Sequence, residues 1–414
     1  MMMILTALFF FIPFSAWATA LPHTCVTQTT DQTLTGTTSF TDISGLSLAS
    51  GNFTAGRKYL LIATGTQSEN GTRAGIRLAH GGTGFTNNEL DIAVGTGDRA
   101  AAGSWTVWTA VGGEAVTAQQ MISVGTDTAS IDNLTLCAFE LSGGSLTENT
   151  DWYFVERATD DSLTTTYLDG AAITLSTPGT WWVLSWSQID TISTNPYKSR
   201  LSRSGEATSA FPEALIDHNQ TAGIWGMILS RVFTTTTSNT FTEQSASGTA
   251  NDHTRLHSAI FALNLDKFNA KGTAYTDASL TLGTSSFANA IQTTSVTPTA
   301  TTDIFSCAFF IFDHTVSGGE VRMRIQVDNA DVPATQTADN YTYSHSDTTN
   351  LSQDEPIFLC GLASAQSAAS HTIDLDGNTV NGADVKYRQL VSFSLELAGT
   401  TATSSRRGAP MFFP

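Results

Sequence analysis

Three stretches of this 414-residue chain end in matching apolar runs, and a long-period repeat of that kind limits the fold more than any single motif. NLTLCAFEL, ending at Leu141, is answered by TRLHSAIFALNL, ending at Leu265, and by YRQLVSFSLEL, ending at Leu397. The spacings are 124 residues (265 less 141) and 132 residues (397 less 265), too long for a solenoid unit and the size of a complete β-sandwich. Earlier features recur at the same depth: KYLLIATG at Tyr59, TWWVLSWSQ at Trp181 and DIFSCAFFIF at Phe305. Each is followed by an arginine-bearing segment, with Arg73 and Arg77, then Arg200 and Arg203, then Arg322 and Arg324. A long apolar strand comes next, SWTVWTAV in the first module and GIWGMILSRVF in the second, with a shifted counterpart, EPIFLCGLA, in the third.

Val321, Met323 and Ile325 alternate with Arg322, Arg324 and Gln326, the period of two that sends alternate side chains to opposite faces of a sheet. Turn signals such as SGG, GTGD and DGN separate runs rich in β-branched and aromatic residues. SSFANAIQ is the single short helical candidate. The expected fold is all-β, with three tandem antiparallel β-sandwich modules of the jelly-roll kind over 32–144, 145–268 and 269–399. A lead through Asp31 precedes them and a tail over 400–414 follows.

Only 14% of residues are charged, against the usual ~25%, so Thr, Ser, Ala and Gly make up much of the surface. Acidic residues outnumber basic ones 37 to 19, and a net charge of -18 makes nucleic acid a poor partner. The first 22 residues, MMMILTALFFFIPFSAWATALP, carry no charge, and small residues stand at Ala16, Ala18 and Ala20. This reads as a secretory signal cleaved after Ala18 or Ala20, with a mis-assigned start, a buried segment or an uncleaved anchor as alternatives, and the signal reading places the protein outside the cell or on a virion surface. Cys25, Cys137, Cys307 and Cys360 lack metal-site spacing. Three of them lie inside apolar runs and read as small core residues, with a Cys307–Cys360 bridge as the alternative.

TGTTSFTDISGLSLASGNFTAGRKYLLIATG, RLAHGGTGF, LTENTDWYFVERATDD and TEQSASGTANDHTRLHSAIFALNLDKF resemble structural and attachment proteins encoded by marine tailed phages. The likeness covers most of modules one and two and is weaker in module three. The chain is also similar to the jelly-roll group of complement globular-head and tumour-necrosis-factor-like domains. That resemblance implies a sandwich used for display or binding, and self-association as a trimer. Low charge and surplus aromatic residues likewise suggest sheet faces that meet protein.

No GxSxG, GxxxxGK[ST], HExxH or CxxC motif occurs, and His80, His253 and His257 read as ordinary polar histidines of strands. Trp108, Trp152, Trp181 and Trp182 are candidates for stacking on a cell-surface glycan or for an interface, although tryptophan in small sandwiches usually anchors the core. Trp105 and Trp108 are three apart and Trp181 and Trp182 adjacent, so each pair points to opposite sides of its strand. Asp374, Asp376, Asn378 and Asp384 in DLDGNTVNGAD offer hard oxygen ligands for Ca2+, but the same letters describe a hairpin turn at Asp376, Gly377 and Asn378, and no other cofactor is indicated. The expected function is a non-enzymatic virion surface structural or receptor-binding protein, with other virion or surface proteins as partners. The alternatives are a secreted bacterial adhesin or matrix protein and, third, a carbohydrate-active enzyme, whose two carboxylates no motif would reveal.

Overall fold

The computed structural model describes residues 20–398 apart from 29, 37, 71–73, 86–89, 93–98, 123–125, 144–145, 192, 194, 207–212, 217–222, 285–286, 288–289, 316–318, 333–342 and 348–353. The signal-like segment before Ala20, Arg73 and the tail lie outside the described residues.

Module one contains β1 (His23–Gln28), β2 (Gln32–Thr35), β3 (Thr41–Leu48), β4 (Lys58–Asn70), β5 (Ala74–His80), β6 (Thr83–Gly84), β7 (Leu90–Ile92), β8 (Arg99–Thr109), β9 (Val116–Ile122) and β10 (Thr128–Glu140). Module two contains β11 (Trp152–Ser162), β12 (Leu168–Leu175), β13 (Gly179–Thr191), β14 (Tyr197–Arg203), β15 (Glu213–Ile216), β16 (Gly223–Thr235), β17 (Asn239–Ser247) and β18 (His253–Asn264). Module three contains β19 (Lys271–Thr276), β20 (Leu280–Thr281), β21 (Ala290–Val296), β22 (Thr302–His314), β23 (Gly319–Val327), β24 (Ala330–Asp331), β25 (Tyr343–Asp347), β26 (Glu355–Gln366), β27 (His371–Thr379) and β28 (Ala383–Ser394).

Each module is a jelly roll of two antiparallel sheets. The inner sheets run β1-β10-β4-β8, β11-β18-β13-β16 and β19-β28-β22-β26. The outer sheets are built on β3-β9-β5, β12-β17-β14 and β21-β27-β23, with short strands along the far edge. Two details depart from the sequence reading. β1 lies within the expected lead but pairs with β10 along its whole length, and Ala290 to Gln292 of the helical candidate belong to strand β21.

Pairing registers align the modules residue by residue. Phe139, Leu263 and Phe393 face Leu60, Trp182 and Phe305 on one side, and His23, Trp152 and Lys271 on the other. Leu141 and Leu265 therefore correspond to Leu395, not to Leu397. The slip has a simple cause: a shift of two residues along a strand keeps the same face, so the leucines of SLEL are indistinguishable by pattern.

Outer strands alternate as a half-solvated sheet should; β12 has inward Ala171, Ile173 and Leu175 between exposed neighbours. The central strands of the inner sheets do not alternate. Every residue from Tyr59 to Ala63, Trp181 to Ile189 and Ile304 to Phe312 is buried. Continuous burial requires cover on both faces. In module three one set, Ile304, Ala308, Phe310 and Phe312, fills the sandwich, while the alternate set, Phe305, Cys307, Phe309 and Ile311, joins a core shared with modules one and two.

The three modules close into a ring, and the contacts repeat around it in one direction. β8 of module one packs on module two, where the Trp105 ring lies 6.3 Å from both Phe154 and Phe261. At the second seam Gln389 donates to Ser230 Oγ of β16 at 2.9 Å. At the third, Cys360 N of β26 donates to Thr64 Oγ1 at 2.9 Å. The edge strands follow the same order: β7 touches β16, β15 touches β26 and β25 touches β8. The chain crosses the first two seams itself; the third is closed by non-covalent contacts. Leu21 N donates to Leu395 O at 2.7 Å, Ala20 bridges Glu396, His23 meets Asp303 at 2.8 Å and the Phe139 and Phe305 rings lie 4.5 Å apart.

Candidate functional site

Of the arginines singled out in the sequence, one from each module occupies an equivalent place on the outer sheet. Arg77 on β5 faces Gln119 on β9, Arg200 on β14 faces Gln244 on β17, and Arg324 on β23 faces Asp376 on β27. In each pair the arginine Nε donates to the facing side chain, at 2.9, 2.7 and 3.0 Å respectively. Each guanidinium lies over an aromatic ring just before the first strand of that sheet: Phe40 at 4.0 Å, Tyr167 at 3.8 Å and Phe287 at 4.5 Å. In modules one and two the glutamine passes the bond on, donating to Asp42 at 2.8 Å and to Asp169 at 2.6 Å, both two residues beyond the ring. Module three replaces that relay with charge, for Arg324 pairs with Asp376 at 2.9 Å and Asp331 at 3.5 Å.

These clusters need planar guanidinium, which stacks and hydrogen-bonds at once; a lysine ammonium cannot do both. Gly84 fits against Arg77 for the same reason, since a Cβ there would sit 2.2 Å from its Cζ. The clusters tie the start of each outer sheet to its middle and present a half-buried guanidinium on all three, linked to an exposed carboxylate through a carboxamide in modules one and two. Arg200→Ala is expected to cost about 2–4 kcal/mol, the sum of a stacked cation and a hydrogen bond involving a charged group. Faster amide exchange confined to β12 and β14, with Arg200→Lys failing to restore protection, is the expected reading.

The tryptophans have other places. Trp108 is inside module one against Phe53 at 5.3 Å, and Trp181 packs on Tyr153 at 5.6 Å. Trp152 donates to Leu141 O at 3.1 Å across the first seam, and Trp182 lies at the second seam, 6.1–6.4 Å from Phe305, Phe358 and Phe393. Their exposures run from 0% to 6%, so within the chain none offers an open face to a sugar ring, and two serve an interface between modules. The opposed orientations expected of Trp105 with Trp108, and of Trp181 with Trp182, are what these contacts show.

Asp374, Asp376 and Asn378 lie on β27, whereas Asp384 lies on β28 of the other sheet. Asp374 accepts from Thr293 at 2.7 Å and Asp376 is committed to Arg324. The turn expected at Asp376, Gly377 and Asn378 is strand instead, because Asp376 and Asn378 pair with Arg324 and Arg322, and the chain reverses at 380–382. Among the described residues no group of three or more His, Cys, Asp or Glu side chains is placed to hold a metal. His80 meets Glu114 at 2.6 Å; His253 bonds Asn195 O at 2.8 Å while His257 meets Glu156 at 2.7 Å.

His371, at the start of β27, meets Asp328 at 2.6 Å and Ser367 O at 2.9 Å. Burial opposes its charge, but the Ser367 carbonyl and the Asp328 carboxylate outweigh it, so its pKa is raised. A raised histidine pKa contributes stability that is complete below the unfolded value near ~6.5 and is lost as pH rises through the folded value. Thermal melts should therefore show wild type losing its advantage over His371→Gln above that point; a pH-independent difference would contradict this assignment.

No protein-family model and no curated protein matches the chain. Its likenesses are to solved structures. A triple jelly-roll turret protein of an archaeal virus is 10% identical, covering 88% of this chain and 90% of its own, with a TM-score of 0.20. A peptide-N(4)-(N-acetyl-β-D-glucosaminyl)asparagine amidase is also 10% identical, over 58% of this chain and 96% of its own, with a TM-score of 0.27. The tandem CBM22 domains of Paenibacillus barcinonensis Xyn10C are 10% identical over 60% and 94%, with a TM-score of 0.20. At these scores the fold rests on the chain's own strand order, and a fold by itself assigns no role.

Proposed function

We propose that the protein is a non-enzymatic surface component, a structural or receptor-binding protein of a virion, in which one chain does the work of a trimer. The observation that carries this reading is the closed ring. It buries all three inner sheets against one another and leaves three outer sheets, each with an arginine cluster, as equivalent display faces. Three weak contacts on one rigid body raise avidity without a deep pocket. A glycan or protein receptor would meet those faces or the adjoining loops.

A secreted adhesin or matrix protein of a cell is the second reading, and the cysteines favour it. Cys25–Cys137 and Cys307–Cys360 are both disulfides, which persist in oxidising compartments. Export of this kind fits removal of the apolar leader after Ala18, which keeps Ala20 for its bridge to Glu396. Mass spectrometry of purified particles and of the cell-envelope and secreted fractions decides between the two. The chain co-purifying with particles supports the virion reading; its recovery solely from envelope or medium, beginning at Thr19, rejects it.

A further inference from the structure

Cys137, Cys307 and Cys360 lie buried in the core as expected, but all four cysteines are paired, Cys307 with Cys360 as in the alternative reading. Cys25 stands directly opposite Cys137, and Cys307 directly opposite Cys360. Each bridge fastens an edge strand of an inner sheet, β1 or β26, to its inner neighbour, β10 or β22. Registers fix their position around the ring. Cys360 occupies in module three the place of Trp105 in module one, while Cys25 and Cys137 occupy in module one the places of Phe154 and Phe261 in module two. Trp105 touches those two rings across the first seam. The same geometry carried round the ring sets the two disulfides against each other at the third seam. The bonds between Cys360 and Thr64, and the contact of Phe139 with Phe305, place both strands there directly.

That seam is the one the chain does not cross. The first two pairs of modules are held at high effective concentration by linkers of a few residues, over 141–151 and 265–270, whereas modules one and three are joined only by folding. None of the six residues of β1 is fully buried, although Cys25 and Val26 pack against the shared core. The strand leads from Leu21 and carries His23, which meet module three. We infer that oxidation of Cys25–Cys137 and Cys307–Cys360 controls closure of the ring between module one and module three. Each bridge forms as two thiols lose two protons and two electrons to an external disulfide, which leaves as a dithiol. The ring would then stay loose in a reducing cytoplasm and lock after export or release.

The test is hydrogen–deuterium exchange of the full chain, oxidised and refolded with reductant. The variants C25V/C137V and C307V/C360V, kept oxidised, guard against reduction acting elsewhere. Exchange in 20–28 and 357–363 is expected to rise at least ten-fold in the reduced protein and in each variant, with 152–158 and 181–189 unchanged. Unchanged exchange at the third seam in both variants overturns the inference. So does a loss of protection spread evenly over all three seams.

Discussion

Trp182→Ala is expected to destabilise the protein by about 3–5 kcal/mol, the usual cost of emptying a large aromatic site in a well-packed interior. Trp182 is fully buried, touches Phe305, Phe358 and Phe393, and donates through Nε1 to Ser230 Oγ at 3.0 Å. Three of these four partners belong to module three, so the loss falls on the second seam as well as on the sheet. Denaturant unfolding should show the lower midpoint, with exchange rising in β13, β22 and β28 together. A change below ~1 kcal/mol would mean that the face of module two is not packed against module three.

The second large effect concerns an ion pair inside module two. Arg255 and Glu243, 1% and 0% exposed, meet at 3.1 Å, and Arg255 also reaches Asp161 at 2.7 Å and the carbonyls of Leu168 and Asp169 at 3.0 and 2.8 Å. Gly170 lies so close that a Cβ would fall 2.1 Å from Glu243 Oε2. Burial pushes the Glu243 carboxyl up, against the pull of Arg255, Ser245 and Ser199. The equivalent pairs are Ile131 with Ala118 in module one and Val385 with Leu375 in module three. Arg255→Val alone strands a buried carboxylate and should cost about 3–5 kcal/mol, whereas R255V/E243L restores the apolar arrangement of the sister modules and should be neutral or stabilising. A double variant as unstable as the single one would show that the pair supports module two in a way its sisters do not need.

The repeat was legible because its strongest marks, the apolar runs around Leu60, Trp182 and Phe305, are strands buried on both faces, which even a diverged module must keep apolar. The same marks conceal register, hence Leu397 in place of Leu395. β1 was missed because HTCVTQ is half-buried throughout and shows no alternation. The arginines were visible but their partners were not, since Phe40, Tyr167 and Phe287 precede them by 37, 33 and 37 residues (77 less 40, 200 less 167, 324 less 287). The signal that would have found them is the pair of triplets Phe40-Thr41-Asp42 and Tyr167-Leu168-Asp169, each two strands ahead of its arginine. The resemblance to trimeric domains led to an expected trimer of chains, which is a different matter from three modules packing within one chain; the absence of alternation in the central strands says that both faces of the inner sheets are covered. The tryptophans illustrate the limit of composition, because the same residue type serves a sugar platform, a core or a seam, and only the partners distinguish them.

Small-angle scattering on the eluting protein, with mass determined on the same peak, tests the closed ring most directly. A compact single chain of this length has a radius of gyration of about 22 Å, while three modules strung in line give roughly 30 Å. The ring predicts the smaller value at the mass of one chain; the larger value at that mass would contradict it.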